Sequence, residues 1–246
     1  MTRLAEKVAV ITGGSRGIGA AIALQLARDG ADIAITYTSA AGKAEETVKL
    51  VEQLGRRAIA IKADNLDPAA VEVAVNEAHS RLGRLDILVN SAGVYSMNTV
   101  DELTLAEFDR VMAIHVRASF VAAKAAAALM GQGGRIVMIG SNLGEVVPFA
   151  GLIAYSTSKA ALTGLTKALA RDLGPREITV NIVQPGSTDT DMNPANGDHA
   201  DGQRARMAIP RFGKAQDIAG LVAFLAGEEG RFVTGASLTI DGGANT

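Results

Sequence analysis

The sequence predicts an α/β protein, a doubly wound parallel sheet of about seven strands with helices on both faces. Three observations predict it. Short β-branched runs alternate along the chain with longer Ala-rich stretches. The short runs are apolar almost throughout, as strands covered on both faces must be, rather than at every second residue. A glycine-rich turn follows the first run directly, where a βαβ unit would begin.

The strands are expected at KVAVIT (7–12), ADIAIT (31–36), RAIAIK (57–62), LDILVN (85–90), RIVMIG (135–140), ITVNIV (178–183) and SLTI (237–240). Helices are expected between them, near 18–29, 41–54, 68–81, 103–130, 154–173 and 215–226. Asp67-Pro68 supplies an N-cap and a first-turn proline for the third helix. A length of 246 residues suits a single domain spanning 1–246. Within it, 186–213 is rich in Asp, Asn, Pro and Gly and reads as a substrate lid, since loops this long in a domain are functional or disordered.

Composition removes several classes of function. The chain has no cysteine, which excludes disulfides, thiolate catalysis and cysteine metal sites. Net charge is −2 and no basic cluster exceeds two adjacent residues, so a nucleic-acid partner lacks its phosphate-neutralising patch. The longest apolar stretch, ASFVAAKAAAALM (118–130), is broken by Lys124 and too short to span a bilayer. The N-terminus lacks a signal-peptide layout. The expectation is a cytoplasmic protein with no membrane partner and no metal site.

The turn TGGSRGIG (12–19) places glycines at 13, 17 and 19. Gly13, Gly17 and Gly19 let the backbone turn tightly and approach a pyrophosphate at the N-terminus of the following helix, with Ser15, Arg16 and Ile18 between them. Alone, the triplet reads equally as an ordinary strand-to-helix turn; without a following Gly-Lys-Ser/Thr it is no P-loop. The end of the second strand carries Tyr37, Thr38 and Ser39, with no carboxylate before Glu45. An acid there would accept the ribose hydroxyl of NAD, whereas Arg16 and two hydroxyls suit a 2′-phosphate. NADP(H) is therefore favoured over NAD, the plainer reading being that Arg16 is a solvated turn residue.

AYSTSKAAL (154–162) holds Tyr155, one of three tyrosines, four residues before Lys159. A helix puts both on one face, although the pair alone is a weak motif.

Taken together, these features resemble the short-chain dehydrogenase/reductase family over essentially the whole chain, from VAVITGGSRGIG (8–19) to VTGASLTIDGG (233–243). Further motifs fall in the family's order. NSAG (90–93) is similar to its Asn-Asn-Ala-Gly segment and brings Asn90, Ala92 and Gly93 to the cofactor. ADNLD (63–67) places Asp64 and Asn65 where the family meets the adenine. PGSTDT (185–190) resembles the family's Pro-Gly-x-x-x-Thr segment, which implies that Pro185, Gly186, Thr188 and Thr190 would lie beside the nicotinamide. The wording is most similar to the 3-oxoacyl-[acyl carrier protein] reductase-like ketoreductases. The resemblance implies a Rossmann-type fold and a homotetramer, with helices 103–130 and 154–173 pairing across one interface and the last strand at another.

It also gives the Tyr-Lys pair a chemistry. Tyr155 would be the general acid in reduction and the base in oxidation. Lys159 would lower the phenol's pKa by its charge and grip the nicotinamide ribose. Ser141 is the candidate second donor to the substrate oxygen, although the serine of many relatives aligns with Asn142, which stays open for that role. His115 stands where the family usually has Asn at a helix distortion; it is either a packed, hydrogen-bonded helix residue or a member of a proton relay.

Loops 91–101, 141–153 and 186–212 would border the substrate. They offer Tyr95, Met97, Leu143, Val146, Val147, Phe149 and Met192, with Glu145 as an acidic exception. Arg204 and Arg206 either meet an anionic carrier or phosphate or are solvated lid charges. The expected function is NADPH-dependent, reversible reduction of a ketone, 3-oxoacyl or related and small-molecule or carrier-linked, to a secondary alcohol. The alternatives are an NAD(P)-dependent alcohol or sugar dehydrogenase and a catalytically silent NADP-binding protein.

Overall fold

Strand β1 (Val8–Thr12) shows why the sheet is buried on both faces. Its side chains alternate, Val8 and Val10 entering one hydrophobic core and Ala9 and Ile11 the other. Each fully buried aliphatic side chain of this kind contributes about 1.5–3 kcal/mol relative to exposure. In the computed structural model, which describes residues 3–246, the same pattern recurs in β2 (Asp32–Tyr37), β4 (Ile87–Asn90), β5 (Arg135–Ile139) and β6 (Thr179–Pro185). Met1 and Thr2, which the sequence reading includes in its domain, lie outside the described residues.

With β3 (Ala58–Lys62) and β9 (Ser237–Ile240), these strands form a seven-stranded sheet in the order β3-β2-β1-β4-β5-β6-β9, every pairing parallel. Helices α1 (Gly17–Arg28), α2 (Ala41–Gln53) and α8 (Ala215–Ala226) cover one face. Helices α3 (Pro68–Leu82), α5 (Ala118–Leu129) and α6 (Ile153–Leu173) cover the other. This is the doubly wound architecture the sequence predicts, with element ends within about two residues of expectation. Asp67 caps α3 as expected, accepting from Ala69 N (2.9 Å) and Ala70 N (3.2 Å) ahead of Pro68.

The chain leaves β1 toward β2 and β3, then returns to the other side of β1 at β4. At that reversal the carboxyl ends of β1 and β4 diverge and leave a crevice. Thr12 spans it, its hydroxyl accepting from the amides of Ser91 (3.0 Å) and Ala92 (3.2 Å).

Two features depart from the sequence reading. The expected helix 103–130 is three pieces, α4 (Leu105–Met112), a π-helical turn (Ala113–Arg117) and α5. They run on as one 25-residue helix, Leu105–Leu129, whose most apolar 18-residue window has mean hydropathy 1.3, so by length and composition it could cross a membrane, against the sequence expectation. Yet 56% of its most apolar window is buried inside the protein, which accounts for the apolarity. The segment 186–213 is also not all irregular. β7 (Thr188–Asp189) pairs with β8 (Gly213–Lys214), tying its two ends together, and α7 (Ala200–Arg204) lies between them.

Candidate active site

A cavity of about 1540 Å³ opens above the carboxyl ends of β1, β4, β5 and β6. The glycine turn forms one wall. Gly13 takes a left-handed φ of +67° and packs so closely that an added methyl would come within 2.7 Å of the Ala92 Cα. Its amide donates to Thr36 Oγ1 of β2 (3.2 Å), which holds the turn on the sheet. Helix α1 starts at Gly17 with no side chain capping its first amides, and these face the same cavity beside Arg16. Thr38 and Ser39, just past the end of β2 beside this turn, line the same cavity. Free amides at a helix N-terminus, one guanidinium and two hydroxyls make a donor set that fits a pyrophosphate and a further phosphate.

At the far end of the cavity, α6 presents Tyr155 and Lys159, as the i,i+4 spacing predicts. Lys159 is buried; its Nζ lies 5.7 Å from the Tyr155 ring centroid and donates to the Ile139 carbonyl (3.1 Å). Burial lowers the ammonium's pKa to about 8. Burial also pushes the Tyr155 phenol above its ordinary value, with a hydrogen-bonding interaction from Ser141 opposing the rise. Contrary to the expected lowering by Lys159, the phenol's pKa is raised, and it is Ser141 rather than Lys159 that opposes the rise.

Ser141 closes the triangle. It lies at the end of β5, and its hydroxyl accepts from Leu143 N (3.2 Å), which leaves its own proton available to donate. Its backbone amide donates to Gln184 Oε1 (2.7 Å). Gly140 admits that contact, since a methyl there would lie 1.9 Å from the same oxygen. Asn142 also lines the cavity, but its Nδ2 faces Asp241 Oδ2 and Asn245 Oδ1, each at 3.3 Å. Between the two candidates, Ser141 is the one whose hydroxyl acts on the Tyr155 phenol.

His115 lies in the π-helical turn, 1% exposed and behind the cavity wall rather than in it. Val94 N donates to its Nε2 (2.9 Å), so Nε2 carries no proton. Nδ1 therefore donates to Ser158 Oγ (2.7 Å), and Ser158 donates to the Tyr155 carbonyl (2.7 Å). Burial, aided by the nearby Lys159 charge, lowers the imidazole's pKa to about 2. Both ring nitrogens are engaged with structural partners, which favours the packed-histidine reading over the relay.

The remaining expected residues divide clearly. Ser15, Ile18, Gly19, Tyr37, Asp64, Asn65, Gly93, Pro185, Gly186, Thr188 and Thr190 all line the cavity. Asn65 also reaches the π-helical turn, donating to the Ile114 carbonyl (3.2 Å). Asn90 does not line it; the side chain is buried against Met138, its Nδ2 3.2 Å from the sulfur. Tyr95, Met97, Leu143, Phe149 and Met192 form an apolar wall, with the Tyr95 and Tyr155 rings 5.2 Å apart. Glu145 and Val147 fall outside the cavity. A 3₁₀ turn over Asn142–Gly144 carries Glu145 toward β9, where it accepts from Ser237 (3.1 Å) and Thr239 (3.2 Å), and Val147 points to solvent. Sequence reasoning missed Gln184, Ser158, Asp241 and Asn245. Each acts through a contact distant in sequence and leaves no local pattern.

A doubly wound sheet with a Tyr-x-x-x-Lys helix at its switch-point cavity defines a class, the short-chain oxidoreductases. The chain matches the family model described as Enoyl-(Acyl carrier protein) reductase over residues 13–245 and belongs to the short-chain dehydrogenase/reductase family. It is 62% identical to a dehydrogenase/reductase from Sinorhizobium meliloti 1021, at a TM-score of 0.98 covering 100% of this chain and 97% of that one. It is 60% identical to a short chain dehydrogenase from Burkholderia cenocepacia J2315, solved in complex with NADP, at a TM-score of 0.98 covering 99% and 100%. It is also 46% identical, over 96% of each chain, to the cyclic-di-GMP-binding biofilm dispersal mediator protein of Escherichia coli (strain K12).

Proposed function

We propose that the protein reduces a ketone to a secondary alcohol with NADPH, Tyr155 serving as general acid. The observation that carries this reading is that Ser141, Tyr155 and Lys159 line one cavity together with Arg16, Thr38 and Ser39. Support for the phosphate-bearing cofactor comes from that donor set and from the Burkholderia relative bound to NADP. The glycine turn and the α1 N-terminus would hold the pyrophosphate, and Arg16 the 2′-phosphate. Bound there, the reduced nicotinamide supplies a hydride to the carbonyl carbon.

The chain's own residues manage the oxygen. The Ser141 hydroxyl and the Tyr155 phenol donate to it as negative charge develops. Because burial holds the phenol neutral at ordinary pH, its proton is present for delivery. An alkoxide is a far stronger base than a phenolate, so the transfer runs downhill despite the raised pKa. The Lys159 ammonium then stabilises the phenolate left behind. The segment 186–213 would act as a lid that excludes water. The chain would work as a single domain in a cytoplasmic homotetramer, on a small-molecule or carrier-linked carbonyl.

The test is the initial rate of NADPH loss with ethyl acetoacetate, run beside NADH and beside Arg16→Ala. NADPH should be preferred, and the variant should raise its KM about tenfold or more through loss of a charge-assisted contact. Preference for NADH would support the alcohol or sugar dehydrogenase instead. Saturable NADPH binding without turnover on a broad ketone panel would support a silent NADP-binding protein.

A further inference from the structure

The geometry points to an anionic substrate, an oxo-carboxylate whose carboxylate is read by Arg206 while its ketone lies at Tyr155. This rests on the reductase reading and adds the substrate's charge. Three cations near the substrate side can be compared. Arg110 is held by Glu107 through two hydrogen bonds (2.7 and 2.9 Å). Arg204 is held by Asp201 (2.6 Å) and the Ala195 carbonyl, its guanidinium against Phe212. Arg206 lines the cavity, and among the described residues no carboxylate lies within ion-pair distance of it.

Arg206 is nevertheless positioned. Its guanidinium carbon lies over the Phe149 ring, 5.2 Å from the centroid, a cation–π contact that holds the group at the cavity wall. Its charge is felt at Tyr95, where it pulls the phenol's pKa down against burial. Tyr95 in turn faces Tyr155, ring to ring at 5.2 Å. Arg206, Tyr95 and Tyr155 thus line one cavity, with Tyr95 close enough to feel the Arg206 charge and its ring 5.2 Å from that of Tyr155. A ligand in that cavity would set its anion at Arg206 and its carbonyl at Tyr155, with the Tyr95 ring against it. Planar, bidentate carboxylate recognition is what an unpaired guanidinium does best. Asp198 and His199 line the same cavity, and neither makes an ion pair with Arg206.

The probes are 4-oxopentanoate and its ethyl ester, titrated calorimetrically into the protein saturated with NADP⁺. The acid should bind about tenfold tighter than the ester, and Arg206→Ala should erase that difference while Arg206→Lys keeps part of it. Equal binding of acid and ester, or a preference that survives Arg206→Ala, overturns the proposal. NADPH oxidation with the same pair separates it from the reductase reading. An acid preference in binding without turnover of either probe would count against the reductase and leave the anion site standing. Turnover of both with no acid preference would do the reverse.

Discussion

His115 and Ser158 meet at 2.7 Å, and through that contact the π-helical turn of the long helix is tied to the backbone of Tyr155. The imidazole joins three segments: the loop after β4 at Val94, the turn it belongs to, and α6. Replacing His115 with Ala should leave the Val94 amide and the Ser158 hydroxyl short of a partner and cost about 2 kcal/mol. Thermal unfolding checks this. A positioning role predicts a lower kcat with little change in the KM for NADPH, and partial recovery in His115→Asn.

The same residue makes a pH prediction. Folded His115 stays neutral down to about pH 2, whereas in the unfolded chain it protonates near its ordinary 6.5. Below 6.5 the unfolded state therefore holds one more proton, and stability falls as pH falls, by up to about 1.4 kcal/mol per pH unit. Denaturant melts between pH 7 and 4 should be shallower in pH dependence for His115→Asn than for the natural chain. Equal slopes would show that the imidazole is not held neutral.

Gln184 is fully buried and serves Ser141 alone among the proposed catalytic residues. Its amide nitrogen is held by Thr163 (3.2 Å) and Ser237 (3.4 Å), so the oxygen is fixed toward the Ser141 amide. Gln184→Leu should strand that amide at about 1–3 kcal/mol and lower kcat more than it raises KM. Steady-state kinetics with a melt on the same variant would distinguish loss of positioning from loss of fold.

The sheet was readable because its strands are buried on both faces, which writes near-continuous apolar runs into the sequence. That Tyr155 and Lys159 share a face was readable because helical spacing sets it, whereas their role came from the family resemblance. Glu145 was misplaced because a 3₁₀ turn, invisible in residue type, rotates it to Ser237 and Thr239. Asn90 was misplaced because its side chain takes the inward face of β4 against Met138. The β7–β8 pair is two residues long on each side, too short to show any period.

Lys159 gives a prediction at the alkaline end. Burial brings its pKa from 10.5 to about 8, so the free protein loses this ammonium as pH rises through that value. Between about 8 and 10.5 the unfolded chain holds the extra proton, so stability rises with pH there even as the charge beside Tyr155 disappears. kcat/KM should fall above about pH 8, a limb that reports the free enzyme. In Lys159→Arg, whose guanidinium does not titrate, whatever activity survives should lack that limb.

The central claim is that the Tyr155 phenol delivers the proton. Tyr155→Phe keeps the ring beside Tyr95 and His115 and removes only the hydroxyl. The measurement is NADPH oxidation by this variant with ethyl acetoacetate, alongside its affinity for NADPH. The expected result is a loss of about 10²–10⁴-fold in kcat with NADPH binding retained. Turnover within a few fold of the natural chain would contradict the assignment and move the acid to another donor.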